Sequence, residues 1–98
     1  MKQHTQLASD LIGRAMEHGY LLLDETELPA EFFNLSTGLA GEVMQKFVNY
    51  QLPLAIVVRA PSDHGDRFAE LVHEHQRHPM IRFFADAESA NVWLDSSR

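Results

Sequence analysis

Three groups of residues in this chain have types and spacings that bear on chemistry. Ser36-Thr37-Gly38 stands directly before a helix-periodic apolar stretch. A hydroxyl at a helix start accepts a hydrogen bond from one of the unpaired backbone N–H groups there, and a glycine permits close approach. The same N–H groups and the positive end of the helix dipole stabilise a phosphate or another anion. A plain helix cap meets the same description and is the commoner use of such residues. The second group is His64, His73, His75 and His78, interspersed with Asp63, Asp66, Glu70 and Glu74. Imidazoles and carboxylates are zinc and nickel ligands, and His75 and His78 are one helical turn apart. Yet no HExxH arrangement occurs, His73 points away from His75 on a helix, and His75 falls on an apolar stripe. A solvated helix end, with His78 complementing the C-terminal dipole, is the favoured reading over a metal site. The third group combines Ser36 or Thr37 with a distant histidine and Asp24, the makings of a triad. Nothing like GxSxG surrounds the serine, and Gly38 and Gly41 do not make a phosphate loop. The chemistry-bearing residues therefore favour binding over catalysis, with no cofactor.

The bulk properties narrow the setting. Ninety-eight residues, 45% apolar and 22% charged, are enough for one domain with one modest core, spanning 1–98 with its packed part at about 7–94. The absence of cysteine removes disulfides, a thiol nucleophile and thiolate metal sites, and fits a reducing cytoplasm. Net charge is −6 and the eight Lys and Arg are scattered, so no nucleic acid partner is expected. The start, MKQHTQLASD, lacks the apolar core of a signal peptide, and Leu54 to Val58 is far too short to cross a bilayer, so no membrane association is expected.

The elements that must position these groups follow from periodicity. Leu7, Leu11, Ile12, Ala15 and Met16 form one stripe of a helix over 5–18, closed by Gly19. Tyr20 to Leu23 reads as a strand buried on both faces, followed by a connector through Leu28-Pro29 to Phe33. A second helix begins at Ser36 to Gly38 and runs to about Tyr50, with Val43, Phe47 and Tyr50 on its apolar face. Leu54 to Val58 is the clearest buried strand. Ser62 or Asp63 caps a third helix carrying Phe68, Leu71, Val72 and His75, which Pro79 ends. Met80 to Phe84 is the last strand, and Asp86 caps a closing helix that turns Ala90, Trp93 and Leu94 inward. The order α-β-α-β-α-β-α predicts an α/β fold with a mainly parallel sheet of about three strands and helical crossovers.

The stretch Glu31-Phe32-Phe33-Asn34-Leu35-Ser36-Thr37-Gly38-Leu39-Ala40-Gly41-Glu42-Val43-Met44-Gln45-Lys46-Phe47-Val48-Asn49-Tyr50, followed by Leu54-Ala55-Ile56-Val57, closely resembles the signature of a bacterial family, domain of unknown function 4180. That family commonly follows its central strand with Gly-Asp, where this chain has Val58-Arg59, and its members tend to carry a strand or two before the first helix. Without such a strand a sheet edge is left open, which invites a homodimer. A wider resemblance is to the STAS fold of anti-sigma factor antagonists. There a strand ending in Asp leads to an Asp-Ser-Ser-Gly or Asp-Ser-Thr-Gly turn, similar to Leu23-Asp24 and Leu35-Ser36-Thr37-Gly38 here, with Leu35 in place of the Asp. The resemblance implies a STAS-like topology, a protein partner and a phosphorylation switch at Ser36, with Thr37, Gly38 and Asp24 around it. A phosphate adds about −1.5 to −2 charges at one spot, enough to repel or recruit a partner. Phe32 and Phe33 are the partner-contact candidates, because two adjacent aromatics in a connector cannot easily both be buried.

Overall fold

The most apolar stretch of the chain sits at the centre of the fold. In the computed structural model, which describes the backbone of residues 3–97 and the side chains of residues 6–96, every residue of β2 (Leu54–Val57) is buried. β2 is flanked by β1 (Leu21–Asp24) and β3 (Ile81–Phe84), all parallel, in the order β1-β2-β3. Leu54 is level with Leu21 and Ile81, and Val57 with Asp24 and Phe84. Five helices surround the sheet: α1 (Gln3–His18), α2 (Ala30–Phe33), α3 (Leu39–Tyr50), α4 (Asp66–Glu74) and α5 (Ala87–Ser97). Met1, Lys2 and Arg98, which the span 1–98 includes, lie outside the described residues.

The two faces of the sheet are covered unequally. Leu23, Ile56, Val58 and Ile81 pack on one face against Leu11 and Ala15 of α1, Val43 and Phe47 of α3, and Phe68 of α4. Ala55 and Val57 on the other face meet only Ala90 and Leu94 of α5, with Leu22, Phe84 and Trp93 half-buried around them. The reason is topological. The crossovers β1-α3-β2 and β2-α4-β3 step across the sheet in the same direction, and the common right-handed sense then puts both helices on one face. α5 follows the last strand and is free to cover the other. β1 accordingly alternates buried and half-buried residues and is not buried on both faces as its apolar run suggests.

Local signals work at several boundaries. Gly19, at φ +84°, donates its N–H to the Ala15 carbonyl at 2.7 Å and closes α1. Asp86 accepts the Ser89 N–H at 2.7 Å at the start of α5. Other expectations are corrected. α3 begins at Leu39, and the connector before it is structured: Asp24 and Glu27 form a reciprocal capping box on a 3-10 turn over Glu25–Glu27, and α2 and a second 3-10 turn over Leu35–Thr37 follow. Gly38 is required for its φ of +82°, not for close approach, since no atom lies within 4 Å of where its Cβ would be. Neither Ser62 nor Asp63 caps α4. Pro61–His64 forms a 3-10 turn, and Gly65, with no side chain to cap, starts the helix. α4 ends at Glu74, well before Pro79. Met16 and Tyr50, placed on apolar stripes by periodicity, are 57% and 51% exposed, each in the final turn of its helix.

Candidate functional site

Because the strands are parallel, their carboxyl ends share one edge of the sheet, and the charges that follow β1 and β2 meet there. Arg59, just past β2, places Nη2 2.7 Å from Asp24 Oδ1 and Nη1 3.3 Å from Glu25 Oε2. Its backbone N–H donates to the same Glu25 oxygen at 3.1 Å. The other oxygen of Glu25 accepts from His64 Nε2 at 2.8 Å. Asp24 Oδ2 accepts both the N–H and the hydroxyl of Thr26, at 3.0 and 2.8 Å. The Arg59 hydrogen bond, aided by Thr26, holds the Asp24 carboxyl well below the usual carboxylate range. The His64 hydrogen bond and then the Arg59 N–H lower Glu25, while Asp24 raises Arg59. Both carboxylates stay ionised and tethered.

His64 is fixed from a second side by aromatic contact. Its ring stacks on Phe33, with centroids 3.9 Å apart and planes 12° apart. Phe68 stands edge-on to Phe33 at 5.1 Å and to His64 at 5.5 Å, and touches Phe32 and Phe83 behind them. Beside this cluster lies an open cleft of about 700 Å³. The β1–α3 connection lines it with Phe33, Leu35 and Ser36, the turn before α4 with His64, and the first turn of α4 with Arg67 and Phe68. Open α/β sheets bind ligands where the strand order reverses. The order here has no reversal among the described strands, so this cleft is a gap between two crossover connections instead. The Arg67 side chain has no hydrogen bond or ion pair among the described residues and is free to meet an incoming group.

Ser36, His64 and Glu25 invite comparison with a nucleophile, base and orienting acid. Ser36 and His64 line the same cleft, and Glu25 orients the imidazole. The remaining relationship is absent, because the Ser36 hydroxyl donates to Asn34 Oδ1 at 2.7 Å and not to the imidazole. Asn34 Oδ1 also takes the Ser36 N–H at 3.2 Å, which holds the serine at the rim of the cleft.

A family model described as Domain of unknown function (DUF4180) matches residues 2–94. The chain belongs to this family. No curated protein and no solved structure matches it. The likeness to the STAS fold therefore rests on the sequence resemblance at Leu23-Asp24 and Leu35-Ser36-Thr37-Gly38.

In this DUF4180 member the residues singled out by sequence fall into separate roles. The N-cap of α3 is Gly38, which has no side chain to offer; Thr37, not Ser36, takes up an N–H there, its Oγ1 accepting from Leu39 at 3.3 Å and sharing its hydroxyl proton between the Glu31 and Asn34 carbonyls at 2.8 and 2.9 Å. That leaves Ser36 exposed on the cleft. Asp24 belongs to the Arg59 network and does not line the cleft. Phe32 is fully buried, so it is removed as a partner contact; Phe33 is half-buried and lines the cleft. His75 and His78 stack with centroids 5.1 Å apart, and both Nδ1 atoms serve the main chain. His75 donates to the Leu71 carbonyl at 2.8 Å, while His78 accepts the Met80 and Ile81 N–H groups at 3.0 Å each. His78 thus caps the entry to β3 and does not complement the dipole of α4. Burial, then the charges of His75 and Arg82, lower its pKa. Among the described residues no group of three or more His, Asp or Glu could hold a metal ion. No described helix is long and apolar enough to cross a membrane.

Glu25, Arg59, Arg67 and Phe68 are not among the site residues the sequence marks, and His64 stands there only in a histidine group read as a solvated helix end in preference to a metal site. One signal was present: acidic residues end one strand and a basic residue ends the next parallel one, which places opposite charges side by side.

Proposed function

We propose that this domain is a regulatory protein-interaction module that docks a partner segment in the cleft between its two crossover connections. Ser36 is the residue through which docking is switched. The observation that carries the reading is the pairing, in one open cleft, of a half-buried aromatic ring, Phe33, with an exposed and modifiable hydroxyl, Ser36. Aromatic anchors and desolvated pockets dominate protein recognition. A phosphate on Ser36 would bring about −1.5 to −2 charges into the cleft that Arg67 also lines. Binding is preferred to catalysis because Glu25 holds its proton too weakly for a general acid near neutral pH, and Ser36 lacks a base. A cytoplasmic setting is part of this reading and fits a chain without cysteine.

Mass spectrometry of the protein drawn gently from its native host tests this reading. A phosphate on the peptide that holds Ser36 and Thr37, together with a recurring partner lost in Phe33→Ala, is the expected result. An unmodified chain arriving alone overturns the switch for those conditions. A second reading, a small-anion binder, is favoured by the unpaired Arg67, and chemical shift changes at Arg67 and Ser36 on titration with inorganic phosphate would support it. Among the described residues no strand pairs with the outer edge of β1, which suits pairing with a second copy, and a monomer at micromolar concentration would remove that element.

A further inference from the structure

Resting on the docking reading above, we infer that the segment received by the cleft carries an apolar residue with a lysine or arginine within a few positions of it. The cleft does not end at Phe68. A smaller depression continues it along α4, sharing Leu35 and Arg67 with it and adding Glu70, Leu71 and Glu74. The two form one groove whose apolar walls are Phe33, Leu35 and Leu71, all half-buried.

Its far end is acidic and unsatisfied. Glu70 and Glu74 are spaced i, i+4, which puts their carboxylates on the same side of the helix. Neither carboxylate has a hydrogen bond or ion pair among the described residues, in contrast to those of Asp24 and Glu25, whose oxygens are all engaged. Like charges one turn apart repel, and a cation laid between them relieves that repulsion as well as pairing with it. Apolar walls leading to unpaired carboxylates are complementary to an apolar anchor with a basic residue beyond it. Leu71 stands between Glu70 and Glu74 in the sequence of α4, so the basic residue lies within a few positions of the apolar anchor. A nucleic acid strand, with its own negative charge, is repelled from the same end.

The test is to pan a phage-displayed library of random dodecapeptides on the full chain, then measure recovered peptides against Glu70→Lys/Glu74→Lys. Both positions are exposed on α4, and circular dichroism with a melting curve checks that the variant folds. The expected result is enrichment of peptides that pair an apolar residue with a lysine or arginine within a few positions, and that lose about tenfold or more in affinity on the charge reversal and weaken as salt rises. Peptides that bind wild type and variant equally, yet are lost in Phe33→Ala, overturn this inference and leave cleft docking intact. Failure to enrich any peptide over the bare support overturns both.

Discussion

His64 and the His75–His78 pair lie at opposite ends of α4, and the same side chain is used in opposite ways. His64 precedes the helix, donates to a carboxylate 39 residues away and stacks on Phe33 at the wall of the cleft. His75 and His78 follow the helix, bond to main-chain groups no more than four residues away, and stack on each other. One end therefore joins two crossover connections through side chains; the other secures a single turn into β3. A histidine tied to local backbone is replaceable by anything that makes the same bond. A histidine that links distant segments shapes a surface.

Substitutions should separate the two ends. The largest effect is expected where they share a support. Phe68 touches His64, Phe33 and Phe83, and Phe83 in turn lies 6.0 Å from His75. Phe68→Ala should cost about 3–5 kcal/mol in urea unfolding. It should also broaden the NMR signals of residues at both ends, while a disturbance confined to one end would show that the ends are independent.

His78→Ala should come next. It leaves the Met80 and Ile81 N–H groups without their acceptor, at about 1–3 kcal/mol, and His78→Asn should recover part of the loss. The pH dependence has a definite sign. A lowered folded-state pKa means that the unfolded chain takes the proton first. The His78 contribution is then present above the ordinary histidine value of about 6.5 and falls away as pH drops through the folded value. His78→Asn should flatten that part of the stability curve.

His64→Phe is a gentler change, because it keeps an aromatic ring on Phe33 and removes only the bond to Glu25. Aromatic pairs contribute about 0.5–1.5 kcal/mol, so His64→Phe should be more stable than His64→Ala by about that amount. Equal melting temperatures for the two would show that the stack contributes nothing.

The smallest effect is expected at Glu25→Gln, a modest loss of stability near neutral pH that vanishes in acid. Glu25 has a lowered folded-state pKa, so its contribution is present above the unfolded value of about 4.3 and is lost as pH falls through the folded one. Glu25→Gln should make stability less steep below about pH 5 and leave the His78 window untouched. A change in the His78 window instead would join the two ends that the structure keeps apart.

Much of the frame was legible in the residues. The unbroken apolar run from Leu54 to Val58 announced a central strand, Gly19 a helix end, and Asp86 a helix start, because each signal acts on neighbours within a turn or two. The chemistry was less legible where it depended on which hydroxyl faces which way. Ser36 and Thr37 are adjacent and alike in sequence, yet Thr37 turns in to take up the Leu39 N–H while Ser36 is held outward by Asn34. Phe32 and Phe33 divide in the same manner, one in the core and one on the cleft.

By itself, then, the sequence determined the alternation of helices and strands, the α/β class and the family, since periodicity, caps and motif order are properties of neighbouring residues. Tertiary structure alone decided that Arg59 would reach Asp24 and Glu25, that His64 would close on Phe33, and that a cleft would open beside them. Those contacts join segments that meet only after parallel strands settle into register and two crossovers land on one face, and no local pattern records that register.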